Sequence, residues 1–110
     1  MRTFFVTMNE NYIESIQKQF AYYKSLGDKT FEQVKDIEIH WQSNDDSNSI
    51  AIIVKHIAGN MKSRWTNFLT EDGEKEWRNR DDEFVNSFTS KEEVLAYWEM
   101  GWYSLFKAIN

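Results

Sequence analysis

The chain contains no proline at any of its 110 positions and only four glycines. These are the two residues that most destabilise a helix interior, so a chain nearly free of both can form helices of many turns. Hydrophobic residues make up 41% of the sequence and aromatic residues 16%, which is enough apolar material for a folded core. The sequence therefore predicts a folded protein built from long helices.

The first predicted helix covers residues 11–34. Its apolar residues recur every three or four positions, and this register is kept across Gly27. They are Ile13, Ile16, Phe20, Tyr23, Phe31 and Val34. The alternative is a helix that ends at Gly27 with a left-handed cap and restarts at Asp28. The unbroken register favours one continuous helix, in which Gly27 marks at most a bend.

The second predicted helix runs over residues 49–69 and follows a polar connection over residues 35–48. Ser47 or Asn48 is its expected N-cap, because serine and asparagine side chains accept hydrogen bonds from the first free amides of a helix. Its apolar residues again follow a helical spacing and give it a wide apolar face. They are Ile50, Ile53, Val54, Ile57, Met61, Trp65 and Phe68.

The third predicted helix covers residues 90–109. It begins with Ser90 and Glu93 in the S-x-x-E spacing of a capping box, which satisfies backbone amides at a helix start. Val94, Leu95, Trp98, Trp102, Leu105 and Ile109 then recur at helical spacing. The preceding residues 70–89 show neither helical nor alternating periodicity. They are predicted to form a long surface loop, of a length that is often functional.

Three amphipathic helices in a chain of this length predict an all-α, up-down helical bundle that forms one domain over residues 1–110. There are 13 basic and 18 acidic residues, a net charge of −5. This balance argues against a nucleic-acid binder and against a polybasic membrane anchor. The apolar run at residues 50–54 is too short to span a bilayer. With no cysteine and no signal-peptide pattern, we expect a cytoplasmic protein without disulfides.

Residues 49–84 carry the most specific pattern, IIVKHIAGNM-SRWTNFL-DGEKEWRNRD-EF. This string resembles a bacterial branch of the DinB-like superfamily, and the resemblance extends over residues 12–108. It implies a four-helix bundle that holds a divalent metal, such as nickel, zinc or iron, with three histidines. His56 matches the ligand of the second helix. The other two histidines form an H-x-x-x-H pair on a fourth helix, which the resemblance implies is missing here.

His56 has a second interpretation. On a helical wheel it falls on the flank of the apolar stripe, in file with Asn60 and Arg64. The pattern alone favours a packed histidine bonded to a backbone carbonyl, whereas the resemblance assigns His56 as a metal ligand. We expect His56 to face an internal polar cavity between the helices, with Asn60 as its second-shell partner. A lone histidine makes a loose site, because zinc and nickel sites need three or more protein ligands.

Other candidate ligands near the second helix do not complete a site with His56. The only other histidine, His40, lies where relatives carry an aromatic or apolar residue. Glu71, Asp72 and Glu74 lie about four turns beyond His56, roughly 20 Å along the helix axis. We therefore do not expect them to bind the same ion.

The loop also offers a candidate anion pocket. Arg64, Arg78 and Arg80 could bind a carboxylate bidentately beside the flat walls of Trp65 and Trp77. The alternative, which the composition favours, is structural. The tryptophans would anchor the loop, and the arginines would pair with nearby acids: Asp81, Asp82 and Glu83.

Two functional hypotheses follow. The resemblance implies a metal-dependent protein related to thiol-dependent transferases, with a small-molecule thiol as substrate. An anionic compound is the substrate that the arginine pocket would bind. The alternative is a shortened, non-catalytic bundle that acts as a structural or interaction module. In both cases we expect a homodimer, because the aromatic stripe of Trp98, Trp102 and Phe106 would be partly exposed without a fourth helix.

Overall fold

The computed structural model describes residues 2–44, 47–84 and 88–110, with side chains from residue 10 onward. Within these ranges the protein is all-helical and has no strand. The elements, in chain order, are α1 (Arg2–Gln33), the 3-10 helix η1 (Asp36–His40), α2 (Ile50–Trp65), the 3-10 helix η2 (Asp82–Phe84) and α3 (Lys91–Ile109). The prediction of an all-α chain with three long helices is confirmed.

Helix α1 passes through Gly27 without a break, as the continuous register predicted. No glycine in the described part of the chain has a positive φ, so Gly27 does not form a left-handed cap. An ion pair of 3.0 Å between Lys24 Nζ and Asp28 Oδ2 spans the turn that contains Gly27. The helix begins at Arg2, earlier than the predicted start at residue 11.

The connection after α1 contains a short helix that the sequence did not predict. The amide of Glu38 donates to Lys35 O at 2.9 Å, and the amide of Lys35 donates to the Glu38 carboxylate at 2.8 Å. Within this turn Ile39 is fully buried while Ile37 is 85% exposed. A single turn is too short to show a helical period, so the sequence predicts only a polar connection at η1.

The predicted N-cap and the predicted C-terminal end of the second helix are wrong. Its N-cap is Ser49, whose hydroxyl accepts from the amide of Ile52 at 3.2 Å, and neither Ser47 nor Asn48 has this role. The helix ends at Trp65, before residue 69, because the backbone becomes extended at Thr66. Asn67 then takes a φ of 52°, which asparagine tolerates better than most residues.

The buried face of α2 is also rotated from the predicted stripe. Ile53 and Ile57 are 45% and 38% exposed, whereas small residues are buried. The buried residues include Ala51, Ala58, Gly59 and Ser63. Helices that approach closely meet through small side chains, which a pattern of large apolar residues does not reveal. A Cβ added at Gly101 of α3 would lie only 2.7 Å from Ala58 Cα, so α2 and α3 are in near contact at this point.

Of the two hydrogen bonds of the capping box predicted at the start of α3, one is present. The Ser90 hydroxyl accepts from the Glu93 amide at 3.2 Å. The Glu93 carboxylate accepts instead from the hydroxyl and amide of Thr89, at 2.8 and 3.2 Å, and these bonds lower the pKa of Glu93. Trp98 and Trp102 are each only 7% exposed, so most of the aromatic stripe belongs to the core.

The described chain divides into two compact units. The first contains α1 and Ile109–Asn110, and Gln17 Nε2 donates to Ile109 O at 3.0 Å within it. The second, Val34–Ala108, contains η1, α2, η2 and nearly all of α3. The candidate site lies entirely in this second unit. Among the described helices, none is long and apolar enough to cross a membrane.

Candidate functional site

Two consecutive side chains of α2 bind two consecutive residues of η2. Lys55 Nζ donates to Asp82 O at 2.7 Å and lies 3.3 Å from Asp82 Oδ2. The next residue, His56, contacts the Glu83 carboxylate through Nδ1 at 3.1 Å. Lys55 is 7% exposed, so the side chain that contacts Asp82 is largely shielded from water. These two residues hold the end of the loop against the helix.

Glu83 lies at the centre of this arrangement and is only 4% exposed. Its carboxylate lies against Gly59 of α2, where any Cβ would overlap it. The absence of a side chain at residue 59 therefore creates the space that the carboxylate occupies. Burying a charged carboxylate is costly unless it is paired and hydrogen-bonded, so its partners decide whether this arrangement is stable.

Arg78 is the partner that neutralises Glu83. Its Nε donates to Glu83 Oε2 at 2.9 Å and its Nη2 donates to Glu83 Oε1 at 3.1 Å. Both side chains are 5% exposed, so this bidentate pair is almost fully withdrawn from water. The hydrogen bond that Arg78 donates to Glu83 is the main cause that raises the pKa of Arg78 above its ordinary value.

Among the described residues, His56 is held through one ring nitrogen, and the other has no described partner. A carboxylate paired with a guanidinium accepts hydrogen bonds and donates none, so His56 Nδ1 carries the hydrogen of the 3.1 Å contact with Glu83. In the neutral imidazole Nε2 then has the free lone pair. The side chain is 43% exposed and the Phe84 ring lies 5.2 Å from it, centroid to centroid. Nε2 is thus the atom through which His56 can bind a ligand.

Tyr97 of α3 belongs to the same neighbourhood. Burial raises the pKa of its phenol, and the negative charge of Glu83 raises it further, while Arg78 acts in the opposite direction. Its ring lies 5.5 Å from that of Phe88.

We use the term His56 cluster for Lys55, His56, Arg78, Asp82 and Glu83 together.

Over residues 7–110 the chain matches a family described as a protein of unknown function, DUF1572. The chain belongs to this family. The match contains every residue of the His56 cluster, since the cluster extends only from residue 55 to residue 83. No curated protein and no solved structure matches the chain.

In this DUF1572 chain the loop arginines are paired rather than arranged around a pocket. Arg78 binds Glu83, as the structural alternative predicted. Arg80 pairs instead with Glu74, at 3.8 Å and on the surface. The indole of Trp77 lies under the ammonium group of Lys62, at 5.1 Å from the ring centroid. These contacts favour the structural interpretation of the loop over an anion pocket.

The other metal-ligand candidates of the DUF1572 chain do not join His56. His40 lies in η1, and in the described part of the chain its buried Nδ1 has no hydrogen-bond partner. Across residues 2–44, 47–84 and 88–110, no group of three histidine, cysteine, aspartate or glutamate side chains could hold a metal ion. The described residues supply one oriented imidazole, which fits the role of a single ligand.

A groove of about 510 Å³ lies elsewhere in the second unit. It is formed by the turn after α2 and the last turns of α3, and Lys107 is the one charged residue among those that line it. Its apolar walls include Leu69 and Tyr103, which are 84% and 66% exposed. Since neither a carboxylate nor a histidine is among the described residues that line this groove, the His56 cluster is the better candidate for chemistry.

Sequence reasoning missed Glu83 as the partner of His56. It considered Glu83 only as one of several acids that neutralise the loop arginines, and it expected Asn60 to support the histidine. The structure instead bonds His56 Nδ1 to Glu83 and leaves Asn60 exposed. The separation of 27 residues between His56 and Glu83 has no periodic signal. The one local hint is Gly59, a glycine in the middle of a helix, which indicates the close approach of another group.

Proposed function

We propose that this chain is a divalent-metal-binding protein of the DinB-like kind, in which His56 supplies one ligand through Nε2. The observation that carries the proposal is the hydrogen bond of 3.1 Å between His56 Nδ1 and Glu83. Histidines that bind metals in proteins almost always donate their second N–H to a carboxylate, a carbonyl or water. Here that second bond goes to a carboxylate that is itself buried and paired with Arg78.

The exposure of His56 supports the same proposal. In the alternative from the sequence pattern, His56 would be a packed histidine bonded to a backbone carbonyl, and its second ring nitrogen would be buried out of reach of a ligand from solvent. His56 is 43% exposed in its side chain and its bond goes to a side-chain carboxylate.

A divalent metal with open positions would act as a Lewis acid that binds and acidifies a small-molecule thiol, in line with a relation to thiol-dependent transferases. The residues of this chain have supporting roles. His56 binds, Glu83 orients the imidazole, and Arg78 pairs with the carboxylate and holds it in place. Lys55 holds Asp82, and with it the adjacent Glu83, against α2.

The test is a calorimetric titration of the purified protein with Zn²⁺ and with Ni²⁺. Wild type should bind either ion, weakly if a single chain supplies only one ligand. His56→Ala should abolish binding, and His40→Ala is the matched control, since His40 is the only other histidine. If His56→Ala binds as wild type does, the metal role is wrong.

The same variants test the second hypothesis, a non-catalytic structural module. Its support is that Arg78, Glu83 and His56 also form a clamp between the loop and α2. If wild type binds neither ion and His56→Ala only lowers the melting temperature, the clamp is structural and the module hypothesis is favoured.

A further inference from the structure

The groove between the turn after α2 and the last turns of α3 has one wall that its own hydrogen bonds hold in shape. After α2 ends at Trp65, Asn67 adopts a φ of 52°. The carbonyl of Asn67 accepts from the amides of Thr70 and Glu71, at 3.0 and 2.8 Å, so the backbone of the turn is closed on itself. The rings of Trp65 and Phe68 pack with their centroids 5.5 Å apart, which supports Phe68 in this wall.

The opposite wall is one face of α3. Tyr103 and Lys107 lie one turn apart on it, as do Ser104 and Ala108. We use the term Lys107 groove for the cavity between these four residues and residues 66–70. Its volume of about 510 Å³ lies within the range of about 300–1,000 Å³ that is usual for small-molecule sites.

The Lys107 groove brings exposed apolar side chains together on a concave surface. Leu69, Tyr103 and Phe68 are 84%, 66% and 40% exposed. Single exposed apolar residues are ordinary on a protein surface, whereas several around one cavity indicate a binding site. Covering them with an apolar group removes their surface from water, which is favourable. The walls therefore favour a ligand whose larger part is apolar.

Lys107 is the one charged residue among those that line the groove. Its ammonium group lies 6.0 Å from the centroid of the Tyr103 ring, and the ion pairs of the described part of the chain do not include it. The chain has 18 acidic residues, yet none of them is among the described residues of the groove. An anion can therefore reach Lys107 without displacing a carboxylate of the protein.

Lys107 also outweighs the other polar groups of the groove. The C-terminal ends of α2 and α3 carry a partial negative charge of about half a unit, which falls off within one turn, whereas Lys107 carries a full positive charge. The hydroxyls of Ser104 and Thr70 donate to Met100 O and Asn67 O, at 3.2 and 3.3 Å, so their hydrogens are used within the protein. The charge of the groove thus favours an anion.

We infer that the Lys107 groove binds a small amphipathic monoanion, whose carboxylate pairs with Lys107 and whose apolar ring or chain lies against Leu69 and Tyr103. This inference does not rest on the proposed metal-binding function. The groove begins at Thr66, ten residues after His56 and roughly 15 Å further along the helix axis. The two sites can therefore be tested separately.

The probes are the naphthoate anion and naphthamide, its neutral analogue of nearly the same shape. Their binding is followed through the backbone amide signals of ¹⁵N-labelled wild-type protein. Naphthoate should shift the amides of residues 66–70 and 103–108 and bind about 2- to 5-fold more tightly than naphthamide, as expected from one exposed ion pair. High salt should remove this difference, because it screens exposed charges.

Two variants test the charge and the apolar wall separately, and both change exposed side chains, so the fold should be kept. Lys107→Met should lower the naphthoate affinity to that of naphthamide. Its control is Lys62→Met, because Lys62 also lies over an aromatic ring but outside the groove. Leu69→Ala should weaken both ligands by about 3- to 10-fold through the loss of apolar contact. Its control is Ile37→Ala, since Ile37 is equally exposed, at 85%.

Equal affinity of wild type for naphthoate and naphthamide would overturn the inference, as would shifts spread over other exposed apolar residues such as Ile37. Groove signals that change with protein concentration in the absence of a probe would mean that a second copy of the chain occupies the groove, which also counts against the inference. His56→Ala should bind naphthoate as wild type does, whether or not the metal-binding proposal holds.

Discussion

Glu83 and Arg78 are two charged side chains that the fold removes from water, and each depends on the other. Both are 5% exposed, and two hydrogen bonds join them. Removing one member of such a pair leaves the other as an uncompensated buried charge, which costs more than the intact pair contributes. The pair Arg80–Glu74 has the same chemistry, but its side chains are 59% and 76% exposed.

We therefore expect Arg78→Met to lower the free energy of unfolding by about 3 kcal/mol. Arg80→Met should lower it by less than about 1 kcal/mol, because exposed ion pairs contribute little. Urea denaturation of the two variants and of wild type measures both values. Equal effects of the two substitutions would mean that the burial of Arg78 and Glu83 has no energetic consequence.

Tyr97 gives a prediction about pH. Burial and the charge of Glu83 raise the pKa of its phenol in the folded state above the unfolded value of about 10. The unfolded chain therefore ionises first as the pH rises, and folding stability falls from about pH 10 upwards. Below about pH 10 the phenol is neutral in both states, and its contribution to the free energy of unfolding is fully present.

Ultraviolet absorbance titration should accordingly show one tyrosine that ionises later than the others, and Tyr97→Phe should remove this late component. Tyr103→Phe is the control, because Tyr103 is 66% exposed on the same helix. A late component that persists in Tyr97→Phe would contradict the assignment.

Single residues also mark the limit of what the sequence could predict. His56 was identified by a resemblance over many residues, whereas Glu83 was identified only when the fold brought it to α2. A contact across 27 residues depends on where the loop returns, and residues 70–89 have no periodicity that predicts this return. The buried position of Glu83 also depends on Gly59, whose effect is visible only in three dimensions.

At the scale of elements, α2 and α3 approach each other closely because the residues at their contact, Ala58 and Gly101, are small. A Cβ at Gly101 would lie 2.7 Å from Ala58 Cα and 2.9 Å from Ala58 Cβ. Backbone atoms on the facing helix cannot move aside as the end of a flexible side chain can. Gly73 differs, since a Cβ there would meet the end of the Arg64 side chain at 3.2 Å.

We expect Gly101→Ala to destabilise the protein by about 2 kcal/mol, because overpacking at this contact exceeds the gain in helix propensity. Gly73→Ala should change the stability by less than about 0.5 kcal/mol, because the end of the Arg64 side chain can move away from the added Cβ. Thermal unfolding followed by circular dichroism measures both variants. A Gly101→Ala protein as stable as wild type would show that the two helices are farther apart than described.

The elements were predicted well where a long periodic stripe defined them. All three long helices exist, and α1 continues through Gly27 because its register is unbroken. The errors lie at the ends of α2 and in short turns. A hydroxyl at Ser49 rather than at Ser47 caps α2, and η1 and η2 are too short to show a helical period.

For the molecule as a whole, the described residues provide one oriented imidazole, whereas a stable metal site needs three or more ligands. A second copy of the chain is one source of the remaining groups. Ile53, Ile57 and Phe84 are 45%, 38% and 49% exposed near His56, so an apolar surface adjoins the candidate ligand. The expected homodimer remains a prediction, and its earlier basis in an exposed tryptophan stripe does not hold, since Trp98 and Trp102 are buried.

We expect Zn²⁺ to promote self-association, with fewer than one ion bound per chain. Sedimentation equilibrium at protein concentrations of tens of micromolar, the order of magnitude for a weak complex, should show a larger dimer fraction with Zn²⁺ than with a chelator. His56→Ala should remain at its metal-free distribution in both conditions. A strictly monomeric protein with one tightly bound ion per chain would show that a single chain supplies the full ligand set.

The most direct test of the central claim is a Zn²⁺ titration of ¹⁵N-histidine-labelled wild-type protein, followed through the imidazole nitrogens. With only two histidines in the chain, the spectrum contains two imidazoles and His56→Ala assigns them. The account predicts that Zn²⁺ shifts the Nε2 signal of His56, while Nδ1 stays protonated through its bond to Glu83 and His40 is unaffected. A His56 signal that does not change while Zn²⁺ binds elsewhere, or loss of the Nδ1 proton on binding, would contradict it.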